Sequence, residues 1–243
     1  MIRFSTALAA AGISLALCGP AHSGDIASVQ PLGFSEDGSV FAFEQYGVQD
    51  GSGFPYSDIF VIDTDKDTFL TGSPIRVRID DETVGLGQAR AKAMAQASEI
   101  LKDYDIEDHP GKLVAFNPVS ELDTDAYFIR YLPYPADPAF GNPYAFSLEE
   151  SSHLPADQCE GILDEVKGFR LILKQKDGKD TNTIVHEDTT VPKSRNCPTG
   201  YRIGGVVTYT AMDGATVHVV LINVLSHGFE GHDGRWIAVP VHP

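Results

Sequence analysis

Glycine and proline recur along the whole chain and leave few stretches long enough for helices. The 243 residues include 23 Gly and 15 Pro, which interrupt helices and mark turns. Short apolar runs between these turns, such as residues 58–63 and 216–225, predict β-strands. The sequence therefore predicts a mainly β fold, of the α+β class, with one main packing helix.

That helix is predicted over residues 86–104. Apolar side chains recur there at steps of three and four residues, among them Leu86, Ala89, Ala93 and Leu101. The opposite face carries charges of both signs, and the apolar stripe is built of small residues. This composition favours packing against a sheet over binding to a membrane surface.

The segments on either side of the helix have different patterns. Residues 33–63 resemble one blade of a β-propeller, whereas residues 168–241 contain several strands and two Asp-Gly hairpin turns. The prediction is a propeller-blade-like N-terminal hairpin followed by a β-rich, sandwich-like C-terminal part. Its predicted divisions are a hairpin-plus-helix region (24–118), a connection rich in proline and aromatic residues (119–146) and a C-terminal β domain (147–243).

The first 23 residues have the pattern of a signal peptide. Arg3 precedes an apolar run over residues 7–17, and Ala21 and Ser23 fit the small-residue positions of a cleavage site before Gly24. The run is too short to span a bilayer as a helix, so no transmembrane anchor is expected in the mature chain. Cys18 offers a lipoprotein alternative, which is disfavoured because Leu17 is not small. An exported protein, periplasmic or secreted, is predicted.

Cleavage would leave two cysteines in an oxidising compartment. Cys159 and Cys197 are then predicted to form a disulfide, which would stabilise the fold by about 4 kcal/mol in the chain-entropy model. Two buried free thiols are the alternative. A zinc pair is less favoured because no second Cys or His lies two to four residues from either cysteine.

The chain is strongly acidic. Its 18 Lys and Arg face 34 Asp and Glu, which gives a formal charge of −16, and loss of Arg3 with the leader would make this more negative by one. A nucleic-acid partner is therefore not expected, because binding requires cations that neutralise phosphates. The acidity is dispersed through turns, so it is better explained as solvation of loops than as an electrostatic binding face. The negative charge also argues against tight binding to anionic membrane surfaces.

Residues 131–144 are rich in proline and aromatic rings, a composition that predicts an extended loop or linker. Tyr131, Tyr134 and Tyr144 are candidates for a flat platform on which a sugar or a peptide could stack. The alternative is that these rings pack along a domain edge.

The loop at residues 226–235 supplies candidate metal ligands. His227, Glu230 and His232 together would suffice for zinc, but their spacing matches no helical zinc motif, and three glycines favour a hairpin connection. Asp63, Asp65 and Asp67 start like a calcium-binding loop but lack its required Gly and Glu. No nucleophile elbow, phosphate-binding loop or dinucleotide fingerprint is present, so no catalytic residue and no cofactor are predicted.

Several strings resemble a known family. Residues 33–38, 41–56 and 228–231, with Arg235, are similar to the bacterial predicted secreted proteins of domain-of-unknown-function family 2259. The resemblance runs over nearly all of the mature chain and implies export, but it implies no activity, ligand or cofactor. The position of His232 is usually Pro in that family, and this departure weakens the metal hypothesis.

Together these observations favour a non-enzymatic periplasmic binding or interaction module. Its partner would be an unknown ligand or an envelope protein. A metal-dependent hydrolase that uses the His/Glu loop and a structural envelope protein are the alternatives.

Overall fold

The structure is a computed structural model that describes residues 24–228 and 231–243. The predicted signal peptide lies outside these residues. The described part contains one α-helix, α1 (Leu86–Asp103), and β-strands that are numbered in chain order. The strands are β1 (Ser28–Phe34), β2 (Val40–Val48), β3 (Pro55–Asp63), β4 (Thr68–Phe69), β5 (Ile75–Arg78), β6 (Lys112–Phe116), β7 (Phe128–Tyr131), β8 (Tyr144–His153), β9 (Val166–Lys176), β10 (Lys179–Glu187), β11 (Pro198–Thr210), β12 (Thr216–His227) and β13 (His232–Val241).

The strands form three antiparallel sheets. The N-terminal sheet has the order β1-β2-β3-β4, with β5 also paired to β3; the central sheet is β6-β11-β12-β13, and the outer sheet is β7-β8-β9-β10. The prediction of a mainly β fold with one helix is confirmed. Within the described residues, no helix has both the length and the apolar character needed to cross a membrane.

The layers follow from the alternation of side chains along the strands. On β2, Phe41 and Phe43 pack towards the central sheet, whereas Val40 and Ala42 pack towards α1. On β12, Val219 contacts the N-terminal sheet, and Val220 contacts the outer sheet. The order of layers is therefore α1, N-terminal sheet, central sheet, outer sheet. Because the central sheet is buried on both faces, β12 is a nearly continuous apolar run.

The helix prediction is confirmed to within one residue at its end. Ala89, Ala93 and Ala97 are fully buried against the N-terminal sheet, and Leu101 continues the same stripe. Small side chains allow the helix to approach the sheet closely, as the alanine-rich stripe indicates.

One partly buried ion pair joins the helix to the sheet. The Arg90 guanidinium donates to both carboxylate oxygens of Glu44, at 2.9 and 2.7 Å, and Ser57 Oγ donates to the same carboxylate at 2.8 Å. Arg90 also lies over the ring of Tyr46, 3.8 Å from its centroid. The Glu44 side chain is only 1% exposed, so this contact fixes the position of α1 on the sheet.

The predicted disulfide is present. Cys159 and Cys197 are joined, with their Cα atoms 5.6 Å apart. The bond ties the segment between β8 and β9 to the segment that precedes β11.

The proline-rich region differs in detail from the prediction. A short edge strand, β7, ends at Tyr131 and pairs with β8, and β8 continues to His153 because it pairs with β9 over that length. The prolines lie in the connection between β7 and β8, where no ladder hydrogen bond is required of them. Strands β6 and β7 join sheets otherwise built from later residues; the division into 24–118, 119–146 and 147–243 stays a prediction.

Candidate functional site

A cleft of about 530 Å³ opens where the edges of the three sheets meet. It lies between β4, β13 and β10, each of which is an edge strand, of the N-terminal, central and outer sheet respectively. The lining includes the apolar side chains Phe43, Phe60, Ile62, Phe69, Val224, Trp236, Ile237, Ala238 and Val239, and the ionisable side chains Asp58, Asp67, Arg76, His186, Asp188, Arg195 and Arg235. The size and the mixed lining are typical of a small-molecule or peptide site.

The apolar wall comes from the N-terminal sheet. Phe60 and Phe43 stack with ring centroids 4.8 Å apart, and Phe69 lies 5.7 Å from Phe60. Phe69 is 49% exposed, whereas Phe60 and Trp236 are nearly buried. An aromatic surface is therefore accessible from the cleft.

One end of the cleft holds a polar network. The Gln45 side chain accepts the backbone N–H of Trp236 at 2.7 Å and donates to Asp58 at 3.0 Å. Burial raises the pKa of Asp58, opposed by the hydrogen bond from Gln45 and by the charge of Arg76. Arg76 lies opposite Asp58 in the β3–β5 pairing and forms no ion pair within the described part of the chain.

The nearby Arg235 is held in place by the start of the described chain. Its guanidinium lies 2.5 Å from the Asp25 carboxylate, which also accepts the hydroxyl of Tyr56 at 2.8 Å. Burial raises the pKa of Asp25, although the charge of Arg235 and both hydrogen bonds oppose this. Arg235 is thus a fixed cation at this end of the cleft.

The opposite wall contains a chain of charges. Asp188 accepts a hydrogen bond from His186 Nε2 at 3.1 Å and one from Arg195 at 2.5 Å. His186 Nδ1 lies 3.7 Å from Asp67, which belongs to the turn before β4. The contact between His186 and Asp67 therefore links the outer sheet to the N-terminal sheet across the cleft.

The protonation of this group follows from its contacts. Burial alone would lower the pKa of His186, but hydrogen bonds to Asp188 and Asp67 outweigh burial and raise it to about 9. Burial likewise opposes ionisation of Asp188, yet His186 and Arg195 lower its pKa to about 2. His186 is therefore a cation at neutral pH with a carboxylate near each ring nitrogen, so it cannot act as a general base there.

We expect His186 to make the free energy of unfolding decrease at alkaline pH. Because its pKa rises from 6.5 to about 9 on folding, its contribution is complete below pH 6.5 and is lost as the pH rises through 9. Urea unfolding of the wild type should show a decline of about 3 kcal/mol between pH 6.5 and pH 9.5. The same decline in His186→Gln would contradict this assignment.

The disulfide positions one wall of the cleft. Arg195 and Asn196 line the cleft and directly precede Cys197. The side chain of Gln158, next to Cys159, donates a hydrogen bond to the carbonyl of Lys193 at 3.0 Å. Arg195 also lies over the ring of Phe169 at 5.0 Å. The covalent bond and these contacts hold Arg195 next to Asp188.

Two of the three candidate metal ligands, His227 and His232, lie within the described residues. His227 and His232 are paired directly across β12 and β13, and His232 Nδ1 lies 3.1 Å from Thr199 Oγ1. Glu230 lies outside the described residues. Among residues 24–228 and 231–243, no three His, Cys, Asp or Glu side chains are grouped so that they could hold a metal ion.

The three candidate tyrosines are in different surroundings. Tyr131 is 6% exposed, and its hydroxyl is 2.8 Å from Nδ1 of His218, a buried histidine whose pKa burial lowers to about 4. Tyr144 is half-buried, with its ring 4.6 Å from that of His218. Tyr134 is exposed and lies 5.8 Å from Phe140. Tyr131 and Tyr144 thus lie together, and Tyr134 has no ring contact with either in the described part; the stacking platform stays a prediction.

The residues that line the cleft are not among the candidate site residues predicted from the sequence. The sequence predicts His186 within a strand, and Asp58 and Arg76 in or near strands of the N-terminal region. The one available signal is the presence of charged residues within apolar strands, and that pattern also occurs on solvated faces.

Comparison with known proteins supports one assignment. A family model described as "Predicted secreted protein (DUF2259)" matches residues 42–242. The match starts within β2, so the turn sequence at residues 33–38 precedes it. No curated protein and no solved structure matches the chain. Because the match covers most of the sequence, the chain belongs to the DUF2259 family of predicted secreted proteins.

Proposed function

We propose that this protein is an exported, non-enzymatic binding module whose ligand site is the cleft between the three sheets. The observation that carries this proposal is the composition of the cleft. It has exposed aromatic surface at Phe69, a cation at Arg76 that forms no ion pair in the described chain, and a volume within the range of ligand sites. The leader sequence and the family description support export.

The arrangement of the charged groups favours binding over catalysis. Of the titratable groups in the lining, His186 and Arg195 are each bound to Asp188, and Arg235 is bound to Asp25. Ser194 and Ser226 line the cleft, but neither has a side-chain hydrogen bond to a histidine within the described residues. A nucleophile needs such an adjacent base.

A thermal-shift screen of the mature protein with saccharides, amino acids, aromatic acids and short peptides would test the proposal. Any stabilising compound should bind Phe69→Ala at least about tenfold more weakly, because this change removes an aromatic contact surface. Phe140→Ala is the matched control, since Phe140 is similarly exposed but lies outside the cleft.

Two results would refute the assignment. One is a set of ligands that bind Phe69→Ala and the wild type equally. The other is the absence of any stabilising compound across all four classes.

A further inference from the structure

The floor of the cleft is the outer edge of a β-strand. Five consecutive residues of β13, from Arg235 to Val239, line the cleft. Trp236 and Ala238 belong to the core facing the N-terminal sheet, whereas Val239 belongs to the core facing the outer sheet. Residues from both faces of one strand line the same cleft because the cleft runs along the edge of that strand.

The backbone groups that point into the cleft follow from the pairing of β13. Gly234 donates to the carbonyl of Asp25 and accepts from the N–H of Ala27, each at 2.9 Å, so its polar groups point away from β12. The N–H of Trp236 also points away, because it donates to the Gln45 side chain. In an antiparallel strand, the backbone N–H and C=O groups of every second residue point to the same side. The β12–β13 register continues without a bulge, so this alternation holds along β13.

The N–H and C=O of Ala238 therefore point outward, towards the cleft. Neither group has a hydrogen-bond partner within the described residues. Two residues further on, Pro240 occupies the next outward position and has no N–H to offer. The free edge thus consists of the Trp236 carbonyl, both groups of Ala238 and the Pro240 carbonyl.

The same edge already holds a segment of this chain. Ile26 forms a parallel bridge with Gly234, and the chain then diverges into β1. The Trp236 indole N–H donates to the carbonyl of Ala27 at 2.6 Å, close to the point of divergence. A second extended segment could continue along β13 from this point.

The walls indicate which side chains such a segment would carry. A strand added to β13 would direct alternate side chains towards Phe60 and Phe69 on one wall and towards Ser194 and Asn196 on the other. The first wall is apolar. The charges on the second wall are paired with each other, and the net charge of −16 disfavours an acidic partner.

We infer that the cleft binds an extended peptide by β-strand addition to β13, with apolar residues alternating with small hydroxyl or amide residues. This inference rests on the proposed function and names its ligand class. In β-strand addition, backbone hydrogen bonds supply affinity and alternate side chains supply specificity.

The chain provides its own reporter of binding. Trp236 is the sole tryptophan and lies in the floor, so its fluorescence can be titrated with unlabelled probes. The probes are acetylated and amidated seven-residue peptides in which valine or phenylalanine alternates with threonine or serine. Saturable binding is expected, together with weaker binding of peptides in which glutamate replaces the hydroxyl residues.

Methylation of peptide nitrogens tests the backbone pairing directly. Singly N-methylated peptides should show alternation: nitrogens that face β13 lose affinity about tenfold or more, and their neighbours keep it. Ala238→Pro should produce a similar loss because it removes the outward N–H while sparing the bonds to β12. Ala238→Gly is the control that keeps this N–H.

The outcomes separate this inference from the proposed function. If the peptides do not bind, or if affinity is independent of the methylated position in the wild type, strand addition is refuted. The binding-module proposal survives that result if another compound binds to the wild type and does not bind to Phe69→Ala. The methylation series uses the wild-type protein, so misfolding of Ala238→Pro would not obscure the answer.

Discussion

Replacement of both Cys159 and Cys197 by serine is expected to lower the free energy of unfolding by about 4 kcal/mol. The bond joins residues 38 positions apart, and its loss allows the unfolded chain many more conformations. Urea unfolding of the oxidised wild type and of the double serine variant would measure the difference. A loss of this size is a large part of the stability of a typical domain.

The same change should also act locally on the cleft. Without the bond, the segment that carries Arg195 is held by its contacts with Asp188 and Phe169 and by the hydrogen bond from Gln158. We therefore expect residues 193–196 to exchange their amide hydrogens faster in the double serine variant than in the oxidised wild type, with a smaller change in the strands of the outer sheet. Reduced wild-type protein is the matched control, and equal stability of the oxidised and reduced forms would contradict the prediction.

The second large effect is expected at the partly buried ion pair between α1 and the N-terminal sheet. Glu44→Ala should cost about 2–3 kcal/mol, less than for a fully buried pair, because the Arg90 side chain that loses its carboxylate is 34% exposed and keeps its hydrogen bond to Gln30. The change also leaves the buried Ser57 hydroxyl without its hydrogen-bond acceptor. Chemical denaturation would measure the loss.

An exposed pair of the same residue types provides the comparison. Glu149 and Arg170 are 2.7 Å apart with side chains 52% and 40% exposed, so Glu149→Ala should cost less than about 1 kcal/mol. Joint replacement of Glu44 and Arg90 by leucine should recover the part of the loss that comes from the unpaired Arg90 charge. Equal costs for the two alanine variants would contradict the role assigned to Glu44.

Local patterns predicted the elements of this fold because each pattern has a local cause. The alanine stripe from Ala89 to Ala97 repeats at the helical period, and the helix it predicts is confirmed to within one residue. Phe41 and Phe43 alternate with smaller residues, as a strand requires. The disulfide was predicted from the expected oxidising compartment and from the number of cysteines.

The cleft could not be predicted in the same way. It brings together residues as far apart as Phe43, His186 and Val239, and their proximity depends on how three sheets stack. The burial of Tyr131 could not be predicted from the sequence either. An aromatic residue followed by prolines has the same sequence pattern whether its ring is exposed or, as here, its hydroxyl is hydrogen-bonded to His218, which is distant in sequence.

The position of β13 as the final strand of the central sheet has a consequence for folding and aggregation. The backbone of Asp25 contacts the Asp233 side chain across 208 residues, a contact that forms only after a long loop closes. Until β13 joins the sheet, β12 presents an open edge. Its residues 217–225 are apolar on both faces apart from His218 and Asn223, which is the composition of an aggregation-prone segment. Conditions that delay docking of β13 should therefore favour misassembly through β12.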